Sequence, residues 1–143
     1  MKPQITLLAL VLTLFSCAGT RLETPDPSVV TTGKARLLVE FARSEQEKAT
    51  GLMFRETLET NRGMVFVFDP PSTPAFYMKN TRVPLDILFV DTNRIVVDIQ
   101  QMEPFDETDL HRPPGPVGYA IEAVKGWARA HGVKSGDRID FEK

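Results

Sequence analysis

The sequence predicts an α+β fold: a mainly antiparallel β sheet curled into a barrel-like core, with two short helices. Two observations carry this expectation. Six or seven short apolar runs alternate with turn signals along the chain, and only two stretches, both short, have helical character. The size agrees: 143 residues, 42% of them hydrophobic and with a formal charge of −2, suffice for one compact core and not for two. Mild acidity argues against a basic nucleic-acid binder, and the single cysteine excludes an internal disulfide or a multi-cysteine zinc site.

The first 16 residues read as a targeting signal. One cation at Lys2 precedes eleven uncharged residues, 5–15, and then the small residues Ser16, Cys17, Ala18 and Gly19. Eleven residues rising 1.5 Å each reach about 17 Å, roughly half the hydrocarbon thickness, so this is not a spanning helix. Leu14-Phe15-Ser16-Cys17 resembles a bacterial lipobox, with cleavage before Cys17 and a diacylglyceryl group on its thiol. The expectation is a lipoprotein held at a membrane by its acyl chains. It would lie in the cell envelope, facing the periplasm if the host is Gram-negative. Residues 17–33, rich in Thr, Pro and Gly, read as a flexible tether, and 34–143 as a single domain.

Within that domain, residues 35–41 alternate apolar and polar side chains at Leu37, Val39 and Phe41, as a half-buried strand does. Ser44 and Glu47 have the spacing of a capping box opening a helix that presents Ala49, Leu52 and Met53, with Gly51 near its end. Residues 63–68 are apolar on both faces and predict a buried strand. After the turn at 69–72, a short strand is expected over 75–78. Strands over 85–90 and 94–99 are expected to form a hairpin at 91–93, with Asn93 taking the left-handed conformation. Residues 102–117 hold four of the eleven prolines and read as a long surface loop. A strand over 118–124 follows. A short helix over 126–131 should then end at Gly132, with Val133 packing back on Trp127 or Ala128. The turn at 135–137 leads into a last strand, 138–141.

Five phrases in this order are specific. They are Gly51-Leu52-Met53-Phe54-Arg55, the run 63–68, Met78-Lys79-Asn80-Thr81, Pro84-Leu85-Asp86, and Tyr119-Ala120-Ile121-Glu122 with Gly126 following. Together they resemble domain-of-unknown-function family 192 (DUF192, also called UPF0127), over nearly all of the chain after the tether. The resemblance implies a compact β-rich domain, often exported or membrane-anchored, with no assigned activity. Tyr77 stands where relatives often have Trp or Phe, and the Pro-rich loop lacks a cysteine that some relatives carry.

Candidate ligand-binding residues are Arg55, Lys79, Asn80, Thr81, Asp86 and Glu122. The segment 79–86 concentrates a cation, an amide, a hydroxyl and a carboxylate between two apolar strands. The same residues also suit a stiff turn, with Asp86 capping a backbone amide. Alternation puts Glu122 on one strand face with Ala120 and Val124, so a semi-buried carboxyl would need a cation such as Lys79 or Arg55. Without one nearby its pKa would rise, as a general acid requires. His111 and its acidic neighbours have no metal-loop spacing and read as a solvated loop, while Met53, Met64 and Met78 read as core fillers. No metal site, cofactor motif, phosphate loop or nucleophile elbow is present in the pattern.

Three functions fit. The first is a lipid-anchored envelope module binding a small ligand, a wall fragment or a protein partner. The second is an acid/base hydrolase using Glu122 or Asp86 with Lys79 or Arg55. The third is a scaffold without a pocket. Whether the chain is an enzyme stays open on the sequence.

Overall fold

The computed structural model describes residues 28–142. The expected leader, Cys17 and the tether up to residue 27 lie outside the described residues. Seven strands form one sheet: β1 (Ser28–Thr32), β2 (Ala35–Ala42), β3 (Arg62–Ser72), β4 (Leu85–Val90), β5 (Val96–Met102), β6 (Val117–Val124) and β7 (Asp140–Glu142). Two short helices, α1 (Glu45–Thr50) and α2 (Trp127–Ala130), complete the fold. The strand order is β5-β4-β6-β3-β2-β1-β7. All neighbours are antiparallel except β2 and β3, whose parallel pairing makes the sheet mixed. The reason is local: α1 and the turn after it carry the chain back to the start of β3, as a parallel pair requires.

The outer ends of the sheet meet. Ile95 bridges Arg138, Val96 N–H donates to Asp137 O at 2.9 Å, and Ile139 N–H donates to Arg94 O at 2.8 Å. The curl encloses one apolar cluster that includes Leu37, Val65, Leu88, Ile121 and Ile139. A second cluster, including Leu52, Phe66, Met78, Ile87, Phe89 and Ala120, lies on the opposite face of the same wall. Central strands β3, β4 and β6 are therefore buried on both sides, which is why their sequences read as near-continuous apolar runs.

Local signals behave as their chemistry dictates. Ser44 Oγ accepts from Glu47 N–H at 3.2 Å while Glu47 Oε2 accepts from Ser44 N–H at 2.8 Å, the reciprocal capping box. At the end of α2, Val133 N–H donates to Ala128 O (2.8 Å) and Gly132 N–H to Arg129 O (3.2 Å), with Gly132 at φ +69°. This is the Schellman pattern, and it brings Val133 onto the Trp127–Ala128 cluster.

Other elements differ from expectation. Ser28–Thr32, which composition assigns to the tether, is strand β1, zipped to β2 and β7. Its Val29-Val30 pair supplies the β-branched character that the surrounding Thr and Pro obscure. The strand expected at 75–78 reduces to one bridge, Phe76 with His111. In the β4–β5 connection Arg94 (φ +67°), rather than Asn93, takes the left-handed conformation. Asp91 Oδ1 instead accepts from the amides of Asn93 (2.8 Å) and Ile95 (2.9 Å), which shapes the turn without that role for Asn93.

Candidate functional site

The site is built on the outer face of the wall. Glu122 sits in the middle of β6, opposite Met64 of β3 on one side and Ile87 of β4 on the other. Strand alternation turns its side chain away from the barrel interior, together with Ala120. There α1 and residues 52–58 and 73–84 cover it, leaving only 6% of it exposed. Beside it opens a cavity of about 290 Å³, walled by Leu52, Phe66, Phe68, Phe76 and Tyr77, with Thr81 and Glu122 contributing polar groups. Phe76 stands edge-on to both Phe66 (ring centroids 5.0 Å apart, 87°) and Phe68 (6.5 Å, 86°), so the three rings form a corner rather than a stack. Lys48 and Glu45 of α1 stand at the mouth, joined by an ion pair of 2.6 Å.

Electrostatics set Glu122 apart. Arg55, in the turn after α1, directs its guanidinium fork at Glu40 of β2, with two hydrogen bonds of 2.8 Å. That hydrogen bonding holds the Glu40 carboxyl below the usual carboxylate range and raises Arg55. Glu122 is two strands away from Glu40, across Met64. It feels Arg55 only through space, and burial pushes its carboxyl up to about 8. At neutral pH Glu122 is thus mostly a neutral carboxylic acid, a hydrogen-bond donor facing an apolar cavity.

The consequence for stability has a definite sign. A folded-state value near 8 against the ordinary 4.5 means the native protein holds a proton that the unfolded chain releases. Below about pH 4.5 this group makes no difference; from there to about pH 8 its contribution to stability falls steadily as pH rises. Urea unfolding across that range should show the parent losing ground to Glu122→Gln as pH rises. A pH-independent difference between the two would contradict the raised value.

The structure brings together some of the sequence candidates and separates others. Thr81 and Glu122 share the cavity, and Arg55 lies beside it. Thr81 Oγ1 donates to Lys79 O at 3.0 Å. Lys79 and Asn80 are exposed and are not in the cavity wall. Asn80 (φ +51°) serves as a joint, its carbonyl accepting from Phe54 N–H at 2.9 Å. Asp86 is 1% exposed and lies under α2, accepting from Gly126 N–H (2.9 Å), Ala128 N–H (3.0 Å) and Gln101 Nε2 (3.2 Å). His111 is buried, its Nδ1 2.9 Å from Gln100 Oε1, and it pins the long loop to β5. Among the described residues no three His, Cys, Asp or Glu side chains are grouped to hold a metal, and no helix is long and apolar enough to cross a membrane.

Sequence reasoning missed Glu40 and the aromatic corner. Phe66 and Phe68 at i and i+2 on one strand carried a signal for a common face. Phe76 and Tyr77 join them only because the 73–84 segment folds back over the sheet.

Fold and cavity together define a small, curled β domain with an acid-floored apolar pocket on the outside of its wall. The chain belongs to the DUF192 family, described as "Uncharacterized ACR", whose model matches residues 28–141. Among its relatives, the UPF0127 protein PF1050 of Pyrococcus furiosus is 29% identical over 122 residues, spanning 80% of this chain and 96% of its own. A solved protein of unknown function from Novosphingobium aromaticivorans is 39% identical with a TM-score of 0.73, covering 80% of this chain and 83% of that one. Another, from Sinorhizobium meliloti and carrying a provisional name as a transcription regulator, is 29% identical with a TM-score of 0.75, covering 80% and 92%.

Proposed function

We propose that this DUF192 domain is a binding module of the cell envelope, lipid-anchored through Cys17, that takes a small and partly apolar ligand into the cavity beside Glu122. The observation that carries the reading is the placement of the Glu122 carboxyl: a residue only 6% exposed, in the wall of a pocket that opens to solvent beside the rings of Phe66, Phe68 and Phe76. Pockets with mostly apolar walls and a few polar groups suit small molecules. Binding fits better than acid/base hydrolysis, because the other proposed proton carrier, Asp86, has its oxygens occupied by backbone amides and Lys79 stands outside the wall. The leader-like start of the chain and its lipobox-like Cys17 support export and anchoring.

The test uses the full chain and N-phenyl-1-naphthylamine, a neutral apolar fluorophore. Saturable fluorescence gain is expected with dissociation constants between about 1 μM and 1 mM, lost when Ala49→Trp fills the cavity. Gain unchanged in Ala49→Trp would place the fluorophore elsewhere and count against the pocket. For the anchor, Cys17→Ser should move the protein from the membrane to the soluble fraction of its host, and unchanged fractionation would count against acylation.

A further inference from the structure

We propose that the cavity selects an organic cation, a protonated aliphatic amine on a short apolar stem, with Glu122 as its counter-charge and Phe66, Phe68 and Phe76 as the walls around its stem. This rests on the binding reading above and names the ligand class.

The argument is one of charges already matched and one left over. Arg55 is held by both oxygens of Glu40, and Lys48 at the mouth is held by Glu45. Of the cations nearest Glu122, Arg55 and Lys48 each have an anion; Lys79 and Arg82 of the 73–84 segment are exposed and outside the cavity wall, and the β3 and β4 residues paired with Glu122 are Met64 and Ile87. Glu122 has no ion-pair partner among the described residues, so when it ionises it is the carboxylate in the wall left for a cationic ligand to match. An anionic ligand would have to draw Lys48 away from Glu45 and would meet Glu122 as well.

The walls agree. Aromatic faces attract ammonium groups through the ring quadrupole, the more so where water is excluded. The protein already shows this preference at the same place: the Lys48 ammonium lies 5.4 Å from the centre of the Phe68 ring, at the mouth of the cavity. An aromatic corner with one carboxyl at its base offers an amine both a hydrogen-bond acceptor and rings to surround its carbon chain. The volume of about 290 Å³ lies at the small end of ligand pockets and suits a compact amine.

Cation binding and proton release are linked. Glu122 is protonated in the empty cavity at neutral pH, so the ammonium ligand binds as the carboxyl gives its proton to solvent. Apparent affinity for an amine then rises about tenfold per pH unit from pH 6 toward 8, whereas a neutral ligand accepting a hydrogen bond from the acid form weakens over the same range.

Isothermal titration of the full chain with three matched probes tests this: phenethylammonium, 2-phenylethanol and 3-phenylpropanoate, each at pH 6, 7 and 8 in parent, Glu122→Gln and Ala49→Trp. The expected result is preference for phenethylammonium, affinity rising with pH, and proton release seen as a buffer-dependent heat. Glu122→Gln should weaken the amine at least tenfold at pH 8 and flatten its pH profile. Alcohol or carboxylate binding as well as or better than the amine, with Ala49→Trp abolishing it, overturns the cation inference and leaves the pocket reading standing. If none of the three binds, or Ala49→Trp leaves all three unaffected, both readings fall.

Discussion

Gly63→Ala should unfold the domain under conditions the parent withstands, with a loss of about 3 kcal/mol. A Cβ at position 63 would lie 2.2 Å from the carbonyl oxygen of Glu122 and 2.9 Å from Leu37 Cδ2. The leucine can rotate, but the carbonyl is backbone in the neighbouring strand, where Gly63 faces Ala123 in the β3–β6 ladder. Relief requires those strands to part at the point where β3 also begins its parallel pairing with β2 through Val39. Because the obstructing atom belongs to Glu122 itself, the same displacement moves the floor of the cavity. Urea unfolding at pH 6 gives the measurement, and a change below about 1 kcal/mol would show that the wall can open there at little cost.

Asp86→Ala should cost about 2–4 kcal/mol, through a different mechanism. The first turn of α2 has no cap from its own N-terminal residue, Gly126. Its amides are met instead by the carboxylate of Asp86, forty residues earlier in the chain, which also receives Gln101. Alanine leaves these donors without partners in a site that is 1% exposed. The amide of Asp86→Asn retains one accepting oxygen and should recover part of the loss. Since Asp86 is outside the cavity, the folded Asn variant should bind N-phenyl-1-naphthylamine as the parent does. Loss of binding in a folded Asp86→Asn protein would reassign the residue to the site.

The contrast between these residues explains what could be read from the chain beforehand. Ser44 with Glu47, and Gly132 with Val133, are legible because both partners of each interaction lie within a helical turn or two. The two-sided burial of 63–68 was legible for a similar reason, since a strand with no polar face has nowhere to put one. Glu122 stood out as a charge among small apolar residues. Its surroundings were not readable, because they depend on separations that no local pattern encodes. Arg55 had two carboxyls within reach and took Glu40, across the parallel pair that the sequence did not announce. The roles of Lys79 and Asp86 turned on which side of a loop faced the sheet. The motif 78–86 looks like chemistry on paper, yet much of it serves as joinery between the turn at 52–55, the long loop at 103–111 and the short helix.

Where Ile95 meets Arg138, the wall of the molecule is stitched to itself. Sheets that end in bare rims offer unpaired amides and carbonyls to any passing chain. By fastening residues 136–139 against residues 94–96, the fold spends the rim groups of that corner internally and leaves fewer of them to another chain.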